Sequence, residues 1–354
     1  MITFALIGSG WRAEFYLRIA HLLPLQFRCE GIVVRDPGKR AEVELRWGIS
    51  AFDSIDKLAE KVECDFVITS VSRPAHPDVL RQLACVKIPV LAETPPADDL
   101  EALKTVWHEL GGKGLKIQVA EQYHLAPVHR AWLKFLSKGK LGEISHAQVS
   151  IAHGYHGISL LRKYLSIGFE NINLSARSFS SPIVEGPGRN GVPAYERKIE
   201  SHQIIAHFEC NGKLGVYDFT PSQYFGWIRR PRLCIRGGRG EIVNDACTYL
   251  QDYTTPVSVR LIRHESGGAL HLTEKHLRGI QIGEEWYYTT PFGPAPLSDD
   301  EIAVATCMVC MKEYLATGRE FYSLREACHD QYLNLLMLQS IKTKKPIRSE
   351  NLWA

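Results

Sequence analysis

Residues 4–14 read Phe-Ala-Leu-Ile-Gly-Ser-Gly-Trp-Arg-Ala-Glu, and the order of residue types in this stretch decides the N-terminal fold. A largely apolar run, Ile2 to Ile7, reaches Gly8-x-Gly10-x-x-Ala13 and passes into the helical pattern Glu14–Leu23. Strand, glycine turn and helix in that order open a dinucleotide-binding βαβ unit. Gly8 permits the tight turn, Gly10 lets the backbone approach a pyrophosphate, and Ala13 keeps helix and strand close. The first turn of the helix offers unpaired N–H groups and a partial positive charge to phosphates. An ordinary strand-to-helix turn is the plain alternative, and the placement between strand and helix favours the nucleotide site.

Outward from this turn, residues 1–120 alternate short apolar runs with helical patterns. The runs are Phe4–Ile7, Gly31–Val34, Phe66–Thr69, Val90–Leu91 and Ile117–Ala120, and the helices are expected over 11–22, 37–46, 54–61, 77–86 and 98–110. Continuous apolar runs are strands buried on both faces, and β-α alternation implies a parallel sheet with right-handed crossovers. The rhythm changes after Glu121. Helices are expected over 127–137 and 155–166, and strands over 144–152, 172–180, 200–209, 213–220, 231–236, 240–243 and 257–263. Ser298-x-x-Glu301 and Ser323-x-x-Glu326 are capping boxes that open two closing helices, the first ending at Gly318 and the second before Pro346. The fold class expected is α/β plus α+β. A dinucleotide-binding, doubly wound Rossmann domain spans 1–121. A mostly antiparallel, open-sheet domain for substrate and oligomerisation spans 122–354.

At 354 residues, with 45% apolar and 23% charged residues and a net charge of +3, the composition is that of an ordinary globular chain. The mixed signs imply no polybasic surface for nucleic acid, and no apolar run reaches the ~18 residues of a membrane span. Met1-Ile2-Thr3 lacks the basic start of a secretory signal. The nine cysteines are scattered and odd in number, as expected for reduced thiols in the cytoplasm. Cys307-x-x-Cys310 lies within a helical pattern and reads as buried helix cysteines rather than a redox pair or metal site.

Several further segments resemble the Gfo/Idh/MocA oxidoreductases, a family of sugar and cyclitol dehydrogenases. Thr69-Ser70-Val71-Ser72-Arg73-Pro74-Ala75-His76 is similar to that family's strand-end loop over the cofactor, and Val90-Leu91-Ala92-Glu93-Thr94-Pro95 stands in place of its Glu-Lys-Pro signature. Gly142-Glu143-Ile144 matches the junction into the second domain. Gly154-Tyr155-His156 followed by Leu160-Leu161-Arg162 resembles the helix that carries active-site residues. The resemblance runs the length of the chain. It implies cofactor contacts from Gly8, Gly10, Trp11, Arg12, Ala13, Ser70, Arg73, His76 and Glu93, and catalysis by His156 with Tyr123 and Thr94. The departures matter as much. Thr94 replaces the signature lysine and can donate a hydrogen bond but supplies no charge. Ala152 and Ser159 stand where the family places acids.

His156 is the expected general acid/base, because an imidazole titrates near working pH and can take a hydroxyl proton as hydride leaves the same carbon. A helix-start histidine with a structural bond is the alternative. Tyr155 and His153 flank it and are expected to diverge from it. Tyr123 lines the implied substrate cleft, where its hydroxyl could stand in for the lost lysine. His124 caps the next helix or lines the same cleft. Arg162 is read as a helix anchor bonded to a carboxylate. Trp11-Arg12 could reach cofactor phosphates or an acidic substrate, and Arg229, Arg230 and Arg232 either form a solvated loop or meet an anionic substituent. No metal is expected, since His202 and His207 are five apart on a strand and point to opposite faces. Cofactor choice turns on the end of the second strand: Arg35 there favours NADP, Asp36 favours NAD, and the reading leans slightly to NADP.

Three activities fit: an NAD(P)-dependent oxidoreductase acting on a secondary hydroxyl or ketone of a sugar, cyclitol or derivative; a nucleotide-retaining glycosidase or lyase using transient oxidation; and a redox-silent nucleotide-binding sensor. The partners expected are a small carbohydrate-like substrate and, by the resemblance, copies of the chain in a homodimer or homotetramer.

Overall fold

The structure, a computed structural model, describes residues 1–353. Six parallel strands form the N-terminal sheet: β1 (Ile2–Ile7), β2 (Phe27–Val33), β3 (Ala51–Phe52), β4 (Phe66–Thr69), β5 (Val90–Ala92) and β6 (Ile117–Val119). Their order is β3-β2-β1-β4-β5-β6, the doubly wound arrangement in which ligands bind at the carboxyl ends of the strands. Helices α1 (Trp11–Leu22), α2 (Pro37–Trp47), α3 (Ile55–Lys61), α4 (His76–Cys85) and α5 (Leu100–Leu110) connect them. Phe4, Ala5, Leu6, Phe66, Val67 and Ile68 are wholly buried, because helices cover both faces of the central pair β1 and β4. That coverage is why these strands read as unbroken apolar runs.

The second sheet has eleven strands in the order β16-β15-β14-β13-β12-β11-β7-β10-β9-β8-β17. They are β7 (Ile144–Ser150), β8 (Asn173–Val184), β9 (Lys198–Cys210), β10 (Lys213–Phe219), β11 (Arg232–Gly237), β12 (Gly240–Val243), β13 (Ala246–Leu250), β14 (Pro256–Ser266), β15 (His276–Ile282), β16 (Glu285–Thr289) and β17 (Ile347–Arg348). The β7–β10 pair is parallel and every other pairing is antiparallel. Helices α6 (Pro127–Leu136), α7 (Gly154–Leu165) and α9 (Leu324–Thr343) pack on one face. The other face is open. Leu174, Ala176, Ala206 and Phe208 point inward, and Phe179 and Ile205 point out into solvent.

Strands β3, β13, β15, β16 and β17 escape the pattern reading. They are short or strongly amphipathic, and polar outward positions such as Thr248, Arg278 and Gln281 break up their apolar signal. β2 begins at Phe27 rather than Gly31, since Arg28 and Glu30 pair with each other on its exposed side. The long helix α8 (Asp299–Thr317) opens with the expected reciprocal cap, Glu301 N donating to Ser298 Oγ at 3.2 Å and Ser298 N to Glu301 Oε2 at 2.8 Å. α9 opens with only half a box. Ser323 accepts from Glu326 N, but the Glu326 carboxylate accepts from Lys163 Nζ at 2.7 Å instead of turning back to the cap.

The closing helices fold back onto the N-terminal sheet, α8 against α1 and α9 against α5 and β6. The wholly buried Gln118 of β6 accepts from the backbone N–H groups of Phe321 and Tyr322, both at 3.0 Å. Arg162 anchors α7 by donating to Asp330 at 2.6 Å and to the Gly168 carbonyl. These ties join α7, through α9, to β6 at the edge of the N-terminal sheet.

Candidate active site

A cleft of about 2460 Å³ runs from the glycine turn to the front of the second sheet. At its nucleotide end Gly8 adopts φ +100°, and a Cβ there would lie 2.3 Å from the Ser70 carbonyl oxygen. Gly10 differs. It caps α1 in extended conformation with no side-chain cap bond, and a Cβ on it would meet no protein atom. Its bareness leaves room over the uncapped helix N-terminus, as a pyrophosphate requires. Ala13 is buried against the sheet, and Ser70, Arg35, Asp36 and Trp11 line the cleft. Asp36 caps α2, one carboxylate oxygen accepting from Lys39 N at 2.8 Å, with Arg35 exposed beside it. The residues present therefore fit a dinucleotide.

Two of the expected cofactor contacts are corrected by the structure. His76 does not face the cleft: it is buried, with Nε2 2.7 Å from Thr69 Oγ1 and Nδ1 3.0 Å from the Pro95 carbonyl, and it ties β4 to the segment after β5. Arg12 lines the cleft, but two of its guanidinium nitrogens are committed to protein carboxylates instead of phosphates. It donates to Glu93 at 2.8 Å and Asp300 at 3.0 Å. Glu93 also accepts from Tyr16 at 2.5 Å, so its carboxylate is held by protein. Burial works against the Arg12 charge, but Glu93, Tyr16 and Asp300 outweigh it and keep the guanidinium protonated.

Beyond Glu93 the cleft reaches a cluster of rings. His156 lies in the first turn of α7, its Nδ1 2.5 Å from Glu121 Oε2. Both side chains are buried, at 7% and 2% exposure. Burial disfavours charge on either partner: it pushes the Glu121 carboxyl up to about 8 and the His156 imidazole down to about 3. With Nδ1 committed to Glu121, Nε2 is left for the cleft. Tyr123 packs on His156 with ring centroids 4.7 Å apart. The expected divergence of Tyr155 and His153 is corrected: their rings lie 4.4 and 4.9 Å from that of His156. His153 is the cap residue of α7 in extended conformation, so it does not follow helical spacing.

Hydroxyls accompany this cluster. Tyr155 and Thr94 both line the cleft, and burial raises the Tyr155 hydroxyl to about 12. Tyr123 and Tyr224 line the cleft beside them, and the Tyr224 hydroxyl lies 2.5 Å from His153 Nδ1. His124 is buried against Tyr322, away from this cluster. Arg232 donates to Asp218, Arg229 is a half-buried loop residue donating to the Ile228 carbonyl, and Arg230 is exposed. Among the described residues, no group of three or more His, Cys, Asp and Glu side chains could hold a metal ion, and no helix is long and apolar enough to cross a membrane.

Glu121 is the functional residue that the sequence reading passes over. Its one local signal is an ionisable group directly after the buried run Ile117–Ala120, at the carboxyl end of β6.

The glycine turn and doubly wound sheet fit a dinucleotide, and His156 of the buried acid–histidine pair lines the same cleft. Residues 2–121 match the Gfo/Idh/MocA family model, described as an oxidoreductase family with an NAD-binding Rossmann fold. The match spans the N-terminal domain, about a third of the chain. No curated protein matches the sequence. Among solved structures, levoglucosan dehydrogenase in complex with NADH and levoglucosan is similar with a TM-score of 0.69 at 16% identity, covering 98% of this chain and 99% of that one. An oxidoreductase from Agrobacterium radiobacter in complex with NAD+, L-tartaric acid and magnesium gives 0.67 at 17%, covering 98% of each. A myo-inositol dehydrogenase from Corynebacterium glutamicum gives 0.66 at 13%, covering 99% of each. At these identities the similarity is one of fold, and it extends through the second sheet.

Proposed function

We propose that the protein transfers hydride between a nicotinamide dinucleotide and a secondary hydroxyl, or the matching ketone, of a polyol such as a sugar or cyclitol. The observation that carries this reading is the buried Glu121–His156 pair, which opens onto a cleft that begins at a pyrophosphate-ready glycine turn. When bound, the nicotinamide ring supplies or accepts the hydride. Gly8, Gly10, Trp11 and Ser70 would hold the dinucleotide at the turn, with Ala13 keeping helix and strand close behind it, and Arg35 and Asp36 would meet its adenosine ribose.

The chain's own part is to manage one proton at His156 Nε2. With Glu121 neutral, its O–H donates to Nδ1 and the imidazole proton sits on Nε2, ready for a carbonyl oxygen. With Glu121 ionised, Nδ1–H donates to the carboxylate and Nε2 is a free base for a hydroxyl. One ionisation thus converts the site from an acid suited to ketone reduction to a base suited to alcohol oxidation. Tyr123, Tyr155 and Thr94 place hydroxyls where the family carries a lysine. They hold the reacting oxygen without adding charge.

NAD is the cofactor supported by the family's description. The Asp36 oxygen not used in the helix cap is available to ribose hydroxyls, whereas Arg35 would favour a 2′-phosphate. The open face of the second sheet, with Phe179 and Ile205 exposed, is the surface for assembly into a dimer or tetramer. The test is to denature purified protein, identify released nucleotide by mass, and follow nicotinamide absorbance of intact protein with a polyol panel. Absorbance change with a polyol supports the reading. Failure to bind NAD or NADP removes its foundation.

A further inference from the structure

We propose that the substrate end of the cleft takes an anionic polyol, whose carboxylate or phosphate is held by Arg73 and Arg189. This names the substrate class of the same site and rests on the dehydrogenase reading above.

The argument is one of hydrogen-bond supply. A neutral polyol presents hydroxyls that need acceptors as well as donors, and sites for it offer carboxylates. Here each of those carboxylates already serves a protein donor. Glu93 accepts from Arg12 and Tyr16, and Glu121 is paired with His156. Asp300 accepts from Arg12 and Gln122. Asp299 is gripped by both terminal nitrogens of Arg263, and Asp245 accepts from Arg260. The guanidiniums show the reverse imbalance. Arg73 has one carboxylate nearby, Asp98 at 3.9 Å, with both side chains about half exposed. Arg189 forms no ion pair among the described residues.

An aromatic face positions Arg189, and Arg73 stands between a ring and the loosely paired Asp98. The Arg73 guanidinium lies 6.0 Å from the Tyr155 ring centroid, and Tyr155 touches His156. The Arg189 guanidinium lies 4.1 Å from the Trp11 ring centroid. Arg189 reaches there from the connection between β8 and β9, at the tip of a tight turn closed by reciprocal backbone bonds between Gly188 and Gly191, each 3.0 Å. Both charges are felt at His153, which they help to keep neutral after burial and His156 have acted in the same direction. A guanidinium stacked by its face keeps its N–H edge for bidentate contact with an oxyanion. These two cations, flanking a floor of neutral rings and hydroxyls, match an oxyanion on the molecule whose hydroxyl meets His156.

Equilibrium binding to the NADH complex, followed by protein and NADH fluorescence, tests this directly. The probes are D-gluconate, D-galacturonate and D-glucose 6-phosphate, each against its neutral counterpart, D-glucitol, D-galactose and D-glucose. The proteins are wild type, Arg73→Gln and Arg189→Gln. At least one anionic probe should bind wild type on the order of a hundredfold more tightly than its neutral partner, and each substitution should remove about tenfold of that preference. Gluconate or galacturonate against glucose 6-phosphate separates a carboxylate from a phosphate. Equal binding of charged and neutral probes by wild type overturns the proposal. So does a pair of variants that weaken NADH itself while leaving the preference intact, since the arginines would then serve the cofactor's phosphates. Hydride transfer from the same probes is read separately: anion-selective binding without it keeps the subsite and refutes the dehydrogenase reading.

Discussion

Replacing Glu121 with Gln keeps the shape of the dyad and removes its ionisation. In the folded protein the carboxyl titrates at about 8 against an ordinary 4.5. The folded state therefore retains a proton that the unfolded chain has released. The associated stability is fully present below about 4.5 and lost as pH rises through about 8. His156 acts in the opposite sense. Its value is lowered from 6.5 to about 3, so its contribution is present above 6.5 and lost as pH falls through about 3. The window from pH 6.5 to 8 thus belongs to Glu121 alone, and across it wild type should lose about 2 kcal/mol that Glu121→Gln does not. Thermal melts at both ends of that window read the difference: the variant should gain stability on wild type toward pH 8. Activity should move the other way. Wild-type alcohol oxidation should rise about tenfold per pH unit below 8 and then level, with ketone reduction as its mirror image. The variant should lose that inflection together with ~10²–10⁴-fold in kcat, about 2.7–5.4 kcal/mol of barrier. A variant with wild-type kcat and an unchanged inflection near pH 8 would refute the assignment of the dyad.

Other outcomes follow from single contacts. Gly8→Ala forces a Cβ onto the Ser70 carbonyl at φ +100°, so it should cost at least about 1–3 kcal/mol in denaturant unfolding and weaken ADP-ribose binding. Arg162→Met strands the buried Asp330 carboxylate and should lower stability by about 3–5 kcal/mol, with Arg162→Met/Asp330→Asn recovering part of the loss in the same assay. Arg35→Ser should leave the Kd for NAD within a few-fold while raising that for NADP about tenfold or more, as measured by fluorescence titration.

How much of this was legible in the sequence depends on whether the signal is local. The turn at Gly8-x-Gly10 is set by residues within a few positions, and the parallel sheet follows from apolar runs that two helical layers bury. His156 could be singled out only through the family resemblance. The ring cluster around it was misjudged because His153 precedes the helix rather than belonging to it. Arg12 was expected to meet phosphates, but its partners are Glu93 and Asp300, the latter 288 positions away, and no pattern near residue 12 announces them. His76 failed for the same reason: the carbonyl that claims its Nδ1 belongs to Pro95. Glu121 and His156 are 35 residues apart on different sheets' connections, and only the packing of α7 against the turn Tyr123–Leu125 after β6 makes them one chemical unit.

The central claim is that His156 moves the proton that accompanies hydride transfer. A single-turnover experiment tests it most directly: wild type and His156→Ala are loaded with NAD, mixed with the best polyol of the panel, and followed by nicotinamide absorbance. The account predicts equal NAD binding, a rapid transient in wild type, and a transient slowed at least about a hundredfold in the variant. A His156→Ala transient at the wild-type rate would contradict it.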